Sequence, residues 1–286
     1  MRLDAEGRRG LTLISPTLIY ALVMLAAPLA MVVTFSFWTQ NYLDIDTTFT
    51  LDNYHEAWTQ PIYQTLMARS LFISVVVTVV TVLLAFPVAY YISFRVTRRK
   101  TLWLFLVTIP FWTSYLLRVF LWKVILGYNG VLNSALMGMG FIDEPLTFLL
   151  YNANAVVLTL AHAWAPFAIL PIFVALEKID RSLLEAAEDL GDGPWRRFRR
   201  VTLPLAMPGV IAATLIVLIP TVGDFITPRL VGGTDGLMIA NMIQIQVGRA
   251  NNAPLGAALA ISSMVVVGTL SVLIFLVGRR FGGRTR

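Results

Sequence analysis

The sequence predicts an all-α, polytopic membrane protein with six transmembrane helices, and three observations carry that prediction. Hydrophobic residues make up 57% of the 286 residues and charged residues only 13%, against about 45–50% and about 25% in soluble domains. Six apolar runs reach the roughly 20 residues that a helix needs to cross a bilayer. Lysine and arginine, finally, gather almost wholly in the segments on one side of those runs. A soluble chain of this length could not keep such a surface in water.

The runs fall at about 12–37, 67–94, 102–126, 154–177, 205–223 and 256–278. The first follows Arg8 and Arg9, as a signal peptide would. Its apolar stretch exceeds the 7–15 or so residues of a secretory signal, however, and Phe35-Ser36-Phe37-Trp38 makes a poor cleavage site. It reads as a retained helix. Seventeen basic residues lie on one side: Arg2, Arg8 and Arg9; Arg95 to Lys100; Lys178 to Arg200; and Arg279 to Arg286. The opposite segments, about 38–66, 127–153 and 224–255, hold only Arg229 and Arg249. The positive-inside rule then puts both termini and the 178–204 loop in the cytoplasm. The net charge of +6 is membrane topology facing lipid headgroups, and no nucleic-acid partner is expected.

There is no cysteine, which excludes a disulfide framework, a thiolate nucleophile and a cysteine metal site. No catalytic residue, metal or cofactor is expected in this chain. No phosphate-cradling Gly-x-x-x-x-Gly-Lys-[Ser/Thr] loop is present either, so nothing here hydrolyses ATP. The external loops carry Asp44, Asp46, Asp52, Tyr54, Glu56, Asp143 and Glu144; they form either a solvated rim or a docking face for a soluble protein. No tandem repeat or linker divides the chain. We expect an N-terminal segment with the first helix and an external loop over 1–65, a five-helix core over 66–280 and a tail over 281–286.

Between the fourth and fifth runs lies the densest charge in the sequence. Ser182-Leu183-Leu184-Glu185 fits a capping box, Leu183 to Leu190 are strong helix formers, and Gly191 stands where a helix ends. Pro194 suits the first position of a second short helix. Trp195 and Phe198 share one of its faces, Arg196, Arg197, Arg199 and Arg200 occupy the rest, and Pro204 is expected to end it before Leu205 opens the next span. Two short helices at an angle on the cytoplasmic surface follow from this pattern. It is either an interfacial amphipathic loop or a docking surface.

The order Glu185-Ala186-Ala187, Gly191, Phe198, Val201, Leu203-Pro204 resembles the EAA loop of ABC importer permeases of type I, the maltose- and methionine-importer (MetI-like) class. The resemblance covers about Leu66 to Gly278. It implies that the 182–204 loop is a coupling helix seated in a cytoplasmic ATPase dimer, which would bind the ATP and magnesium. Glu185, Ala186, Ala187, Gly191, Phe198 and Pro204 are the residues it assigns to that coupling. It also implies a second permease subunit, a different chain, and an external substrate-binding protein.

Two further stretches narrow the resemblance. Pro110-Phe111-Trp112-Thr113-Ser114-Tyr115-Leu116-Leu117-Arg118 and Gly223-Asp224-Phe225-Ile226-Thr227-Pro228 are similar to the corresponding parts of spermidine/putrescine permeases. Permeases for opines, phosphonates and other small nitrogenous solutes share much of the pattern. Polyamine chemistry suits it: a flexible polycation wants carboxylates for its ammonium groups and aromatic faces for its stems. Asp224, Phe225, Trp112 and Tyr115 are the candidates. Asp224 could instead pair with Arg229 or Arg118, or cap a helix; Trp112, Tyr115 and Phe111 could be an interfacial belt.

Pro166, Pro171, Pro208 and Pro220 favour kinks around the fourth and fifth helices. His162 stands alone in the fourth, without the carboxylate a proton relay would need. Gly256, Ala257, Ala258 and Ala260 suit close helix packing. The competing class, an ion-coupled secondary carrier, would call for repeated halves and paired intramembrane ionisable groups, and the sequence has neither.

Overall fold

The computed structural model describes residues 5–42 and 44–282, with side chains from 13 to 280. Arg2, Arg284, Arg286 and the end of the expected tail lie outside the described residues, as do the side chains of Arg8 and Arg9. Helices account for most of the chain: α1 (Ala5–Phe35), α2 (Asp52–Thr59), α3 (Pro61–Tyr90), α4 (Lys100–Thr108), α5 (Tyr115–Leu126), α6 (Val131–Gly138), α7 (Ala153–Glu177), α8 (Arg181–Asp189), α9 (Pro194–Arg197), α10 (Leu203–Val222), α11 (Ile226–Val231), α12 (Ile239–Gly248) and α13 (Ala253–Gly282). One antiparallel hairpin joins β1 (Thr39–Asn41) to β2 (Asp44–Asp46), with Gln40 opposite Ile45.

Six stretches are long and apolar enough to cross a membrane: Leu13–Phe35, Pro61–Arg95, Tyr115–Gly138, Ala153–Glu177, Pro194–Val222 and Ala253–Arg280. Five match expected spans. The third is a correction, because the run at 102–126 is not one helix. It is α4, a 3₁₀ turn at Ile109–Trp112, an extended Thr113-Ser114 step, and α5. The spanning stretch starts only at Tyr115. Pro110 accounts for the interruption: it removes an amide donor and pushes the preceding turn out of α geometry. The flanking residues are as apolar as any span, so hydropathy alone could not show it.

The residues pack as two compact units, 1–60 with 243–262, and 61–242 with 263–286. Residues 61–65, read as part of the N-terminal segment, are the first turns of α3. In the smaller unit, buried Asn53 donates to the carbonyls of Ser36 (3.1 Å) and Trp38 (2.6 Å). The Phe37 ring stacks on Phe49 at 4.9 Å, and the Trp58 indole donates to Ser262 at 3.2 Å.

The larger unit is built on α3, α7 and α10. Val77, Leu160, Ile172, Ala206 and Val217 are fully buried between them, and small residues set how near the helices come. A Cβ on Gly209 would stand 2.5 Å from both the Pro171 carbonyl and the Ala175 methyl. No other residue fits there without moving α10 from α7. Pro166 and Pro171 lie inside α7, and Pro208 and Pro220 inside α10, yet both helices run unbroken through them. Membrane helices tolerate proline where the freed backbone groups find other partners.

Two π turns mark the arginine-rich end, one extending α3 (Tyr91–Arg95) and one joining α9 to α10 (Phe198–Thr202). Each lets a wide turn leave the i→i−4 ladder, a device frequent at functional positions. The Phe198 ring meets Phe86 of α3 edge-on at 5.6 Å.

Candidate functional site

The first site is the elbow between α7 and α10. Its leading helix, α8, starts two residues earlier than the capping box predicts. Asp180 is the cap, accepting from the Ser182 amide at 3.0 Å, and Ser182 lies inside the helix. That hydrogen bond holds the Asp180 carboxyl below the usual carboxylate range. The sequence offers two oxygens here, Asp180 and Ser182, and the chain takes the one that continues smoothly from α7.

The helix ends as predicted. Gly191 has φ +82°, the left-handed region where glycine carries no Cβ penalty. Its amide bonds the Glu188 carbonyl and the Asp192 amide bonds that of Ala187, both at 2.9 Å. Together these form a Schellman closure. Two ion pairs hold the bend, Glu188 with Arg197 and Asp192 with Arg200, the latter at 3.2 Å.

Of the coupling candidates, Glu185, Ala186 and Gly191 are exposed, Ala187 is buried, and Phe198 and Pro204 are half-buried. Phe198 stacks on the exposed Trp195 ring at 5.5 Å. The second helix departs from expectation. Pro204 does not end it; α9 passes through the π turn into α10 as one stretch, Pro194–Val222, with Pro204 in the first turn of α10. Proline is tolerated there because a π turn already leaves the ladder offset. The elbow is therefore one free helix, α8, braced against the end of a spanning one.

A clamp that sequence reading missed lies just before α8. Glu177 accepts from Lys100 at 2.6 and 2.9 Å and from Ser93 at 3.0 Å, and Lys100 also donates to the Ser93 carbonyl at 2.9 Å. It ties the π turn after α3 and the start of α4 to the end of α7. The partners are 77 and 84 residues apart in sequence, and no local pattern announces them.

The second site is a cleft of about 530 Å³ where α5, α7 and the turn after α10 meet. Its walls are largely aromatic. Phe111 meets Phe167 edge-on at 4.7 Å, and Trp164 lies 5.4 Å from Phe167. Asp224 lines it. One Asp224 carboxylate oxygen accepts from the amides of Ile226 (2.8 Å) and Thr227 (3.3 Å), opening α11; the other accepts from the Tyr115 hydroxyl. Tyr115 also shares a hydrogen bond with Thr227 at 2.6 Å.

The structure thus brings Tyr115, Asp224 and Phe225 together and leaves Trp112 outside. Trp112 is 70% exposed, its ring against Phe105. Asp224 forms no ion pair with Arg118 or Arg229 among the described residues. Arg118, buried at 6% exposure, donates instead to the carbonyls of Phe111, Thr113 and Ala163 at 3.1–3.4 Å, and lines the same cleft. His162 accepts a hydrogen bond from the Trp122 indole at 3.1 Å.

A mostly helical chain with six spans, a braced polar elbow and a carboxylate-bearing aromatic cleft has the makings of a membrane transport subunit. The chain belongs to the family of binding-protein-dependent transport system inner membrane components, which matches residues 61–282. It is accordingly a multi-pass inner-membrane permease subunit and not an enzyme.

Its relatives include the spermidine/putrescine transport system permease protein PotB of Haemophilus influenzae, 39% identical over 227 residues, 79% of this chain and 78% of that protein. PotB of Escherichia coli is 34% identical over 253 residues, 88% and 91% of the two chains. Among solved structures, a bacterial ABC transporter that imports the acidic polysaccharide alginate aligns over 100% of both chains, with a TM-score of 0.73 and 19% identity. The methionine transporter MetNI aligns over 80% of this chain and 100% of its own, with a TM-score of 0.51 and 20% identity. These two share the fold.

Proposed function

We propose that this chain is one of two different permease subunits of an ATP-driven importer that carries polyamines, spermidine and putrescine, into the cell. The single observation behind the substrate is Asp224: a carboxylate on the wall of an aromatic cleft, beside a span end. A carboxylate at membrane depth is costly and marks a pathway or a partner. The relatives' names point to the same cations.

In this reading the termini and the elbow face the cytoplasm. An external binding protein loaded with substrate docks on the opposite loops. The ATPase dimer holds ATP and magnesium, and its closure pushes α8, which the Schellman turn and two ion pairs make a rigid lever. Motion passes along the unbroken Pro194–Val222 stretch to Asp224, two residues beyond it. An ammonium group binds by taking over the Tyr115 hydrogen bond, while the methylene stems lie against Phe111, Phe167 and Phe225. Because Asp224 also opens α11, loading and the position of that helix are linked.

The test is reconstitution of this chain with its neighbouring permease, ATPase and binding protein in vesicles. ATP-dependent accumulation of labelled spermidine or putrescine is expected. Uptake of a phosphonate or an opine in preference to both amines overturns the polyamine assignment. Uptake without the ATPase overturns the drive.

A further inference from the structure

Arg118 is the one charged group lining the cleft to which this transport scheme gives no task. It is 6% exposed, and among the described residues it enters no ion pair. Its Nε has no hydrogen-bond partner. The three carbonyls that accept from its other nitrogens, at 3.1–3.4 Å, are neutral. Two of them, Phe111 and Thr113, belong to the interruption between α4 and α5, so Arg118 braces that break. Carbonyls hold a guanidinium in place without cancelling its charge. A neutral donor would brace the break with far less desolvation cost.

Its position gives the charge a use. Arg118 follows Tyr115 by three residues on α5, which stacks the two on one helix face, and Tyr115 is bonded to Asp224. A fixed cation and a carboxylate therefore line one cleft without pairing. We propose that Arg118 sets charge specificity there: it limits how much positive charge the cleft holds and weakens binding at Asp224 enough for release. Aromatic walls and a carboxylate alone would trap a polycation. Passage requires a site favourable enough to enter and weak enough to leave. Across roughly 6–10 Å at an effective dielectric of about 20–40, the repulsion is worth on the order of tenfold in occupancy per ammonium group.

The inference rests on the polyamine reading, and the experiment separates the two. Uptake of putrescine and spermidine is measured in the reconstituted complex for wild type, Arg118→Gln and Arg118→Lys. Arg118→Gln should lower KM about tenfold for putrescine and further for spermidine, which carries more charge, with a fall in kcat as release slows. Arg118→Lys keeps the charge and loses the fork, so its KM values should stay near wild type.

A brace alone predicts the opposite: both variants impaired alike, with KM unchanged or raised. That result overturns the proposal. Should Arg118→Gln fail to assemble, Arg118→Met is measured in its place: lowered KM values, with the larger fall for spermidine, support the role, and unchanged or raised values remove it. If wild type imports neither amine, the polyamine reading fails and this inference falls with it.

Discussion

The elbow and the cleft are built by opposite routes. At the elbow, the ion pairs join residues eight and nine apart, and caps at Asp180 and Gly191 close α8 within its own sequence. In the cleft, Tyr115 reaches Asp224 and Thr227 across 109 and 112 residues, and Arg118 reaches Ala163 across 45. A lever needs local rigidity that survives while its surroundings move. A pathway needs groups from several helices, so that moving any one of them changes the site. The elbow should therefore tolerate loss of a single contact, whereas the cleft should respond sharply to single atoms.

Four measurements test that contrast. The largest effect is expected from Gly191→Trp. A Cβ at Gly191 meets nothing within 4 Å, so insertion and assembly of the chain should persist despite the positive φ, while ATP-coupled uptake falls by about two orders of magnitude as the indole blocks the partner's approach. Unchanged uptake would remove α8 from coupling.

Next comes Asp224→Asn, which can still accept from the amides of Ile226 and Thr227 and from Tyr115. Losing the charge should raise the KM for spermidine about tenfold, equivalent to roughly 1.4 kcal/mol, with normal expression. Unaltered kinetics would take Asp224 off the pathway.

Glu188→Gln probes the elbow's surface bridge to Arg197. An exposed pair is worth about 0.2–1 kcal/mol, so uptake should stay within about twofold; a tenfold loss would mean that this one contact, not the whole bend, is the lever.

The smallest effect concerns pH. The folded Asp180 carboxyl sits below its ordinary value, so its capping contribution is fully present above about pH 4 and is lost only as pH falls through the lowered folded value. Uptake by Asp180→Asn and wild type should show parallel profiles between pH 6 and 8. Divergence in that window would assign the carboxyl a role beyond capping.

What could be read ahead of the structure divides along the same line. Gly191 and Pro194 lay where a helix must end and another begin, and the pattern of caps is local. Five spans were legible because hydrophobic length is also local. Ser182 misled by two residues because two capping oxygens stood that close together, and only the continuation from α7 chose between them. Pro110 gave no local warning: prolines also stand inside α7 and α10, and those helices run through them unbroken. Trp112 shared its motif with Tyr115, yet the turn at Ile109–Trp112 sends one ring outward while the other enters the cleft.

The class, five of the six spans and the end caps of the elbow follow from the sequence, since apolar length, charge sorting and capping act between neighbours or against the bilayer. The tertiary structure alone decided that the third span is broken, that Lys100, Ser93 and Glu177 form a clamp, and that Arg118 and Asp224 face one cleft unpaired. Those outcomes depend on which distant helices meet and how closely. A glycine such as Gly209, buried against Pro171 and Ala175, sets that distance, and its effect is felt only once the helices have packed.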